Sequence, residues 1–309
     1  MVEKKVLVFG SNGLVGSSCV RVLNKSPKVS SVFASNRKDT DLFSFEQTKK
    51  TIEDFRPDVV INAAAKVGGI LANNTFRTEF LLENLKINMN ILESLMPYPE
   101  IQIINLGSSC IYPLNAKNPI SEDEIFNGKL EPTNSPYAVA KLSSIELADA
   151  MKKQFNHNVI NLMPTNLYGP NDNFSENNSH VIPGLIKRMH MAKNEGRKEF
   201  EIWGTGKPLR EFLYVDDLSL AIEFLIGKTQ DKNIVNIGSG EEISIKNLAI
   251  MIQELIKFEG KLAFDESKPD GNPRKLLNNN YINSMGWKPK TNLHAGLKKT
   301  YDWFLKNDS

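Results

Sequence analysis

No feature of this chain narrows its possible folds more than the run VLVFGSNGLVGSSCVRVL at residues 6–23. An apolar strand runs straight into Gly10, Gly13 and Gly16, and a helix-forming segment follows without a break. Glycines at this spacing let the backbone turn tightly and approach a pyrophosphate, whose charge the helix N-terminus then stabilises. Such a turn belongs in the first βα unit of a dinucleotide-binding sheet. Gly10, Ser11, Asn12, Gly13, Leu14, Val15 and Gly16 are therefore candidate cofactor contacts.

The rest of the first half keeps to that plan. SSVFAS, DVVINAAA, IQIINLGSS and VINLMPTNLYG are short apolar strands separated by helix-length segments, which predicts βαβ units and a parallel sheet. Two helices, at about 73–96 and 137–151, are apolar over more than one side. After Gly169 the chain turns polar at PNDNFSENNSH, which reads as loop, and a helix follows at VIPGLIKRMHMA. FEIWGTGKPLREFLYVDDLSLAIEFLI reads as strand, turn, strand and helix, IVNIGSG as a strand, and SIKNLAIMIQELIKF as a helix. Roughly the last fifty residues read as loop and short helix. The expected fold is α/β: a Rossmann-type doubly wound parallel sheet with a smaller C-terminal α/β substrate-binding domain. Residues 1–168, with about 212–238, would hold the dinucleotide. Residues 169–211 and 239–309 would hold the substrate.

Two stretches carry chemistry. At the end of the second strand, FASNRKDTDL offers Arg37 and Lys38 where an NAD site usually has an acid for the ribose 2′-hydroxyl. A guanidinium pairs with a 2′-phosphate, so NADP(H) is the expected cofactor. In SPYAVAKLSS, Tyr137 and Lys141 stand four residues apart and share a helix face. A nearby ammonium lowers a tyrosine's pKa, which would make Tyr137 a proton donor to a carbonyl receiving hydride, with Ser108 of NLGSSCIYP bonding the same oxygen.

Composition excludes several other classes. The net charge is +2 with mixed signs along the chain, so no nucleic-acid partner is expected. Cys19 and Cys110 are too few and too far apart for a disulfide framework or zinc site. No metal-ligand spacing appears among the four histidines; His190 reads as a helix position, and His157 and His294 as loop or surface positions. MVEKK lacks a signal-peptide pattern, and no apolar run approaches the roughly 20 residues of a membrane span. A cytoplasmic enzyme is expected, with no membrane partner.

The glycine turn, NAAA at 62–65, the serine strand and Tyr137/Lys141 resemble the extended short-chain dehydrogenase/reductase family. AAAKVGGILANN, LGSSCIYP, EPTNSPYAVAK, MPTNLYGPNDNF, NSHVIPGLI, LREFLYVDD and SKPDGNPRKLL are similar to the members of that family that act on GDP-linked 4-keto sugars. From the residues alone Cys110 reads as a core cysteine. The resemblance instead makes it the base, and His180 the acid, that epimerise C3 and C5 beside a 4-keto group. Hydride transfer to C4, with Tyr137 as proton donor, would then turn GDP-4-keto-6-deoxy-mannose into GDP-L-fucose. The alternative is a C4-reductase without epimerase activity, acting on a related substrate such as a GDP-4-keto-heptose. Two further readings are a non-catalytic NADP-binding relative and an epimerase that recycles NAD internally. The first would lack Tyr137 or Lys141, and the second would carry an acid near Asn36. The resemblance further implies cofactor contacts at Asp41, Leu42, Ala63, Ala64, Leu106, Gly107, Lys141, Pro164, Asn166, Leu167 and His180. It implies substrate contacts at Arg188, Trp203, Arg210 and Asp270, and a homodimer through the two broad helices. Several family members have a basic residue where this chain has Asn12, which leaves the NADPH preference to Arg37 and Lys38.

Overall fold

The computed structural model describes residues 3–175, 179–229, 231–268 and 270–307. The loop read at PNDNFSENNSH therefore falls partly outside the described residues, at 176–178. In chain order the first half contains β1 (Lys4–Phe9), α1 (Leu14–Leu23), β2 (Val29–Ser35), α2 (Phe45–Phe55), β3 (Val59–Asn62), α3 (Ile70–Thr75), α4 (Arg77–Leu95), β4 (Gln102–Leu106), α5 (Ser135–Phe155) and β5 (Val159–Pro164). The second half contains β6 (Asn166–Tyr168), α6 (Val181–Asn194), β7 (Glu199–Trp203), β8 (Leu209–Tyr214), α7 (Val215–Leu225), β9 (Ile234–Ile237), β10 (Glu242–Ser244), α8 (Ile245–Ile256), β11 (Lys261–Asp265), β12 (Arg274–Lys275), α9 (Asn280–Ser284) and α10 (Leu293–Asn307). No described helix is long and apolar enough to cross a membrane.

Six parallel strands form the main sheet in the order β2-β1-β3-β4-β5-β9. The order reverses between β1 and β3, which opens a crevice at the strands' carboxyl ends. β3, β4 and β5 are buried on both faces, as expected of a sheet covered by helices on each side. One face packs Val6, Val8 and Ile61 against Cys19 and Leu23 of α1 and Leu218, Ile222 and Leu225 of α7. The other packs Leu7, Val60 and Ile103 against Ile52 of α2, Ile87 and Ile91 of α4, and Ala148 and Met151 of α5.

A polar ladder crosses this apolar sheet. Asn62, Asn105 and Asn161 stand in register on β3, β4 and β5, all buried. The Asn62 amide donates to Asn105 at 3.1 Å and to Asn88 of α4 at 3.0 Å. The Asn105 amide donates to Asn161 and to Ser144 of α5, both at 2.8 Å. A one-residue slip of any of these strands would bury unpaired amides, so the ladder fixes strand register and ties α4 and α5 to the sheet.

The second region is built on β8, which pairs antiparallel with β10 and parallel with β6 and β12. β7 pairs with β11 rather than with β8, so the expected strand-turn-strand run is not a hairpin. α6, α8 and α10 close a core of Ile186, Met189, Phe200, Phe212, Leu248, Ile252, Leu297 and Phe304. Successive residues of a strand face opposite ways, and β8 uses this to join the halves: Phe212 and Tyr214 enter this core, Leu213 the sheet core. α9 returns to the first region, where Ile282 and Trp287 pack against the sheet.

Three expectations need correction. The helix read at about 73–96 is two helices, broken at Phe76, whose backbone (φ −105, ψ 47) is not helical. The C-terminal stretch read as loop and short helix contains β11 and the 15-residue α10. His157 does lie in a loop, but it is buried rather than at the surface, with Nε2 3.1 Å from the Met96 carbonyl.

Candidate active site

The residues nominated for the cofactor gather at the carboxyl ends of the parallel strands. Gly10 takes a positive φ of 80° directly after β1, and a side chain there would lie 2.8 Å from the Ala63 and Ala64 backbone after β3. At Gly16 a Cβ would fall 2.6 Å from the Gly10 carbonyl carbon, so α1 can approach the turn only without a side chain. Gly13 is different: its nearest neighbour would be the Gly10 oxygen at an ordinary 3.5 Å. It is exposed, and it heads α1 without a side-chain cap. The first N–H groups of α1, at Leu14, Val15 and Gly16, have no acceptor inside the helix. The turn thus offers exposed backbone donors and a helix N-terminus beside Ser11 and Asn12, which fits a pyrophosphate.

Past β2, Arg37, Lys38 and Asp39 are exposed, and the Asp39 carboxylate accepts from the Asn36 N–H at 3.0 Å. Asp41 accepts from the Phe43 N–H at 2.9 Å, and the Leu42 carbonyl accepts from Asn90 of α4 at 2.8 Å. Leu106 ends β4 and Gly107 follows it, Pro164 ends β5, and Asn166 and Leu167 open β6.

The catalytic candidates lie where β4 ends and α5 begins. Ser108 caps a short 3-10 turn, its hydroxyl accepting from the Cys110 N–H at 3.2 Å. Tyr137 hydrogen-bonds to Ser108 and lies close enough to Cys110 for a thiolate charge to disfavour the phenolate. Ser108, Cys110 and Tyr137 are therefore one cluster. Lys141, buried one turn further along α5, donates to the Leu106 carbonyl at 2.6 Å, and its ammonium is 6.0 Å from the centre of the Tyr137 ring.

The electrostatics depart from expectation. Burial pushes the Tyr137 hydroxyl well above the ordinary tyrosine range, with the Cys110 charge adding to the rise and the Ser108 bond opposing it. Lys141 does not bring it down, because its ammonium is tied to the Leu106 carbonyl and burial lowers the lysine's own pKa to about 8. Tyr137 thus holds its proton firmly.

Sequence reasoning missed Lys275. Its ammonium lies 3.7 Å from the Cys110 sulfur, although the two are 165 residues apart. The ammonium is placed to donate a hydrogen bond to the sulfur. Lys275 lies in SKPDGNPRKLL, but nothing local to that stretch points at a thiol.

A cavity of about 790 Å³ opens between α6, β7 and the start of β6. His180, Asn166, Arg188, Trp203, Arg210 and Asp270 all line it, so the nominated sugar and nucleotide contacts share one space. Solvent reaches His180, but the protein packed around the ring weakens its hydration and lowers its pKa. Trp203 is 56% exposed, which removes it from the core. Burial lowers the pKa of both Arg188 and Arg210; the carboxylates of Glu201 and Asp270 respectively oppose that fall. Ser108, Cys110, Tyr137 and Lys141 are not on this wall. The two groups are linked through the ladder in which Arg210 of β8 pairs with Lys275 of β12. Paired residues project from the same face, so one points toward the cavity and its neighbour toward the thiol. Among the described residues no group of histidine, cysteine and carboxylates could hold a metal.

A model of the NAD dependent epimerase/dehydratase family matches residues 6–238. GDP-L-fucose synthase 1 of Arabidopsis thaliana is 46% identical over 303 residues, spanning 98% of this chain and 94% of the relative. Among solved structures, a GDP-L-fucose synthetase from Naegleria fowleri bound to NADP has a TM-score of 0.91 at 31% identity, covering 99% of this chain and 94% of that one. A GDP-mannoheptose C4 reductase from Campylobacter jejuni with NADP bound has a TM-score of 0.88 at 30% identity, covering 99% of each. With a glycine-built dinucleotide turn, a Ser–Tyr–Lys cluster and near full-length identity to such relatives, this chain belongs to the NAD-dependent epimerase/dehydratase family, in the group that holds the GDP-L-fucose synthases.

Proposed function

We propose that this protein is a cytoplasmic, NADPH-dependent GDP-4-keto-6-deoxy-mannose 3,5-epimerase/4-reductase that makes GDP-L-fucose. The observation that carries the reading is the Ser108–Cys110–Tyr137 cluster with Lys275 beside the thiol, because a simple reductase has no use for a cysteine held beside its proton donor. The 4-keto group acidifies the hydrogens on C3 and C5, since the carbanion delocalises as an enolate. Cys110, with the Lys275 ammonium beside its sulfur, takes the proton from one face. His180 returns a proton from the other, and its lowered pKa makes the imidazolium a stronger acid. NADPH, when bound, supplies the hydride for C4. Tyr137 gives its proton to the oxygen that becomes an alkoxide; its raised pKa keeps that proton in place until then. Ser108 bonds the same oxygen, and Lys141 places a positive charge beside the tyrosine.

The turn at Gly10–Gly16 and the strand ends at Ala63, Ala64, Leu106, Gly107 and Pro164 hold the dinucleotide, with Arg37 and Lys38 pairing with its 2′-phosphate. Arg188, Trp203, Arg210 and Asp270 hold the GDP-sugar. On this reading the dinucleotide occupies residues 1–168 with about 212–238, and the sugar nucleotide the remainder. The protein works as a homodimer through α4 and α5. Phe126 and Val139 are 61% and 39% exposed around a shallow groove along α5, and Leu82 of α4 is 48% exposed. Sedimentation showing only monomer at micromolar concentration overturns the dimer.

The enzymatic test is incubation with NADPH and GDP-4-keto-6-deoxy-mannose in D₂O, with the product read by mass and NMR. The reading expects GDP-L-fucose deuterated at C3 and C5, and expects Cys110→Ser to bind NADPH but form none. The alternative is C4 reduction without epimerase activity, to which the C. jejuni GDP-mannoheptose C4 reductase is related at 30% identity. NADPH oxidation to an unlabelled product, or turnover only with a GDP-4-keto-heptose, establishes that alternative.

A further inference from the structure

The cavity follows one face of α6, along which the N-cap His180 and then Gly184, Arg188 and Met191 recur at helical spacing. At about 1.5 Å per residue, His180 and Met191 are roughly 16 Å apart. In a GDP-linked sugar the base is the part farthest from the reacting carbons. With His180 at the reacting end, the base belongs near Arg188 and Met191. The wall facing them is β7, whose residues alternate: Phe200 and Ile202 are buried, while Glu199, Glu201 and Trp203 stand on the exposed face. All three exposed residues line the cavity.

A carboxylate in a cavity that takes a diphosphate needs a reason, because like charges repel. Asp270 has one inside the protein: it accepts from the Thr205 N–H and hydroxyl, each at 2.7 Å. Glu201 is exposed, and among the described residues it makes no hydrogen bond or salt bridge. The cation nearest in effect is Arg188, whose guanidinium stands 5.3 Å over the Phe200 ring and senses the Glu201 charge. Guanine explains such a group. Its N1–H and 2-amino group are adjacent donors on one edge, matched by the two oxygens of one carboxylate. Uracil, adenine and hypoxanthine lack that pair.

We propose that Glu201 selects guanine, its carboxylate accepting from N1–H and the 2-amino group of a base lying against the open face of β7. The inference rests on the GDP-sugar reading above and names the residue that makes the site guanine-specific. Glu199 lines the same cavity two residues, roughly 7 Å, along the strand, and serves as the control for this contact.

The test is calorimetric titration of the NADP⁺-saturated enzyme with GDP, IDP and UDP; IDP lacks only the 2-amino group. The wild type binds GDP roughly ten- to a hundredfold more tightly than IDP. Glu201→Ala weakens both ligands, IDP through loss of the N1–H contact and GDP by more, so that the two bind nearly alike; Glu201→Gln falls between, and Glu199→Ala keeps the preference. A Glu201→Ala enzyme that keeps the GDP-to-IDP ratio overturns the proposal, as does a wild type that binds the two alike. Preference of the wild type for UDP over GDP is a separate failure: it overturns the GDP-sugar reading itself.

Discussion

The turn between β1 and α1 and the wall formed by α6 and β7 each face a phosphate-bearing nucleotide on the reading above, yet they are made of opposite materials. At the turn, recognition lies in backbone N–H groups, and side chains are excluded by contacts inside the protein: Gly16 against the Gly10 carbonyl, Gly10 against Ala63 and Ala64. Along α6 and β7 recognition lies in long side chains that the fold does not otherwise employ, such as Glu201 and the exposed Trp203. Binding and packing are inseparable in the first place and separable in the second. Substitutions at the turn should damage both, whereas those on the wall should alter which substrate is held and leave stability alone.

The largest effect belongs to neither wall. Tyr137→Phe removes the proton donor from the cluster between them, and should slow reduction by roughly 10²–10⁴-fold. Deuterium exchange at C3 and C5 should persist, because Cys110 and His180 are untouched, and the melting temperature should barely move. Loss of exchange along with reduction would mean that the tyrosine also organises the epimerisation site.

Gly16→Ala comes next and tests the turn directly. Its Cβ meets backbone, which cannot swing aside, so α1 must shift; overpacking of this kind costs about 1–3 kcal/mol. NADPH affinity should fall together with the denaturation midpoint. A normal midpoint with weak NADPH binding would mean that the turn tolerates a side chain, and that the glycine serves only the ligand. Arg210→Ala tests the other wall. It should raise the KM for the sugar nucleotide about tenfold or more, through loss of a charged hydrogen-bond donor, with little change in melting temperature. A large fall in stability would erase the contrast between the two sites.

That contrast also explains what could be read in advance. The glycine turn and the Tyr137/Lys141 pair are local patterns, in which residues three or four apart must lie together in a turn or on a helix. The sheet followed from apolar strands at regular intervals. Lys275 was invisible because β12 brings it to Cys110 across 165 residues, and no local period encodes such a meeting. The proposed base contact was invisible for a related reason. Glu201 sits in an alternating strand, where an exposed glutamate is the ordinary occupant of the solvent face. α10 was overlooked although Leu297, Tyr301 and Phe304 keep a helical stripe, because the polar residues between them dominate the composition. The tyrosine's environment was misjudged since sequence spacing places a lysine on the same helix face but cannot say that its ammonium turns to the Leu106 carbonyl.

Asp172 marks a limit to the rule that the sugar side is free of packing cost. It is buried in the segment between β6 and α6, where one carboxylate oxygen accepts from the Asn173 N–H at 2.8 Å and the other has no partner among the described residues. Burial raises its pKa to about 7, against a bond to the Asn173 backbone that lowers it. The sign of the consequence follows from linkage. A carboxyl whose folded pKa lies above its unfolded value binds its proton more tightly when folded, so the folded state is favoured at low pH. That contribution is complete below about pH 4, fades as pH rises, and is gone above about pH 7. Asp172→Asn has no charge to bury and should be more stable than the wild type by about 1–2 kcal/mol at pH 8, the gain being limited because the amide still buries polar atoms. The difference should shrink toward pH 4, where the wild-type carboxyl is already neutral. Denaturation midpoints of the two proteins across that range decide the matter. A gap that is constant with pH would mean that Asp172 does not titrate between the folded and unfolded states in this window, and that the sugar side carries no hidden cost at this position.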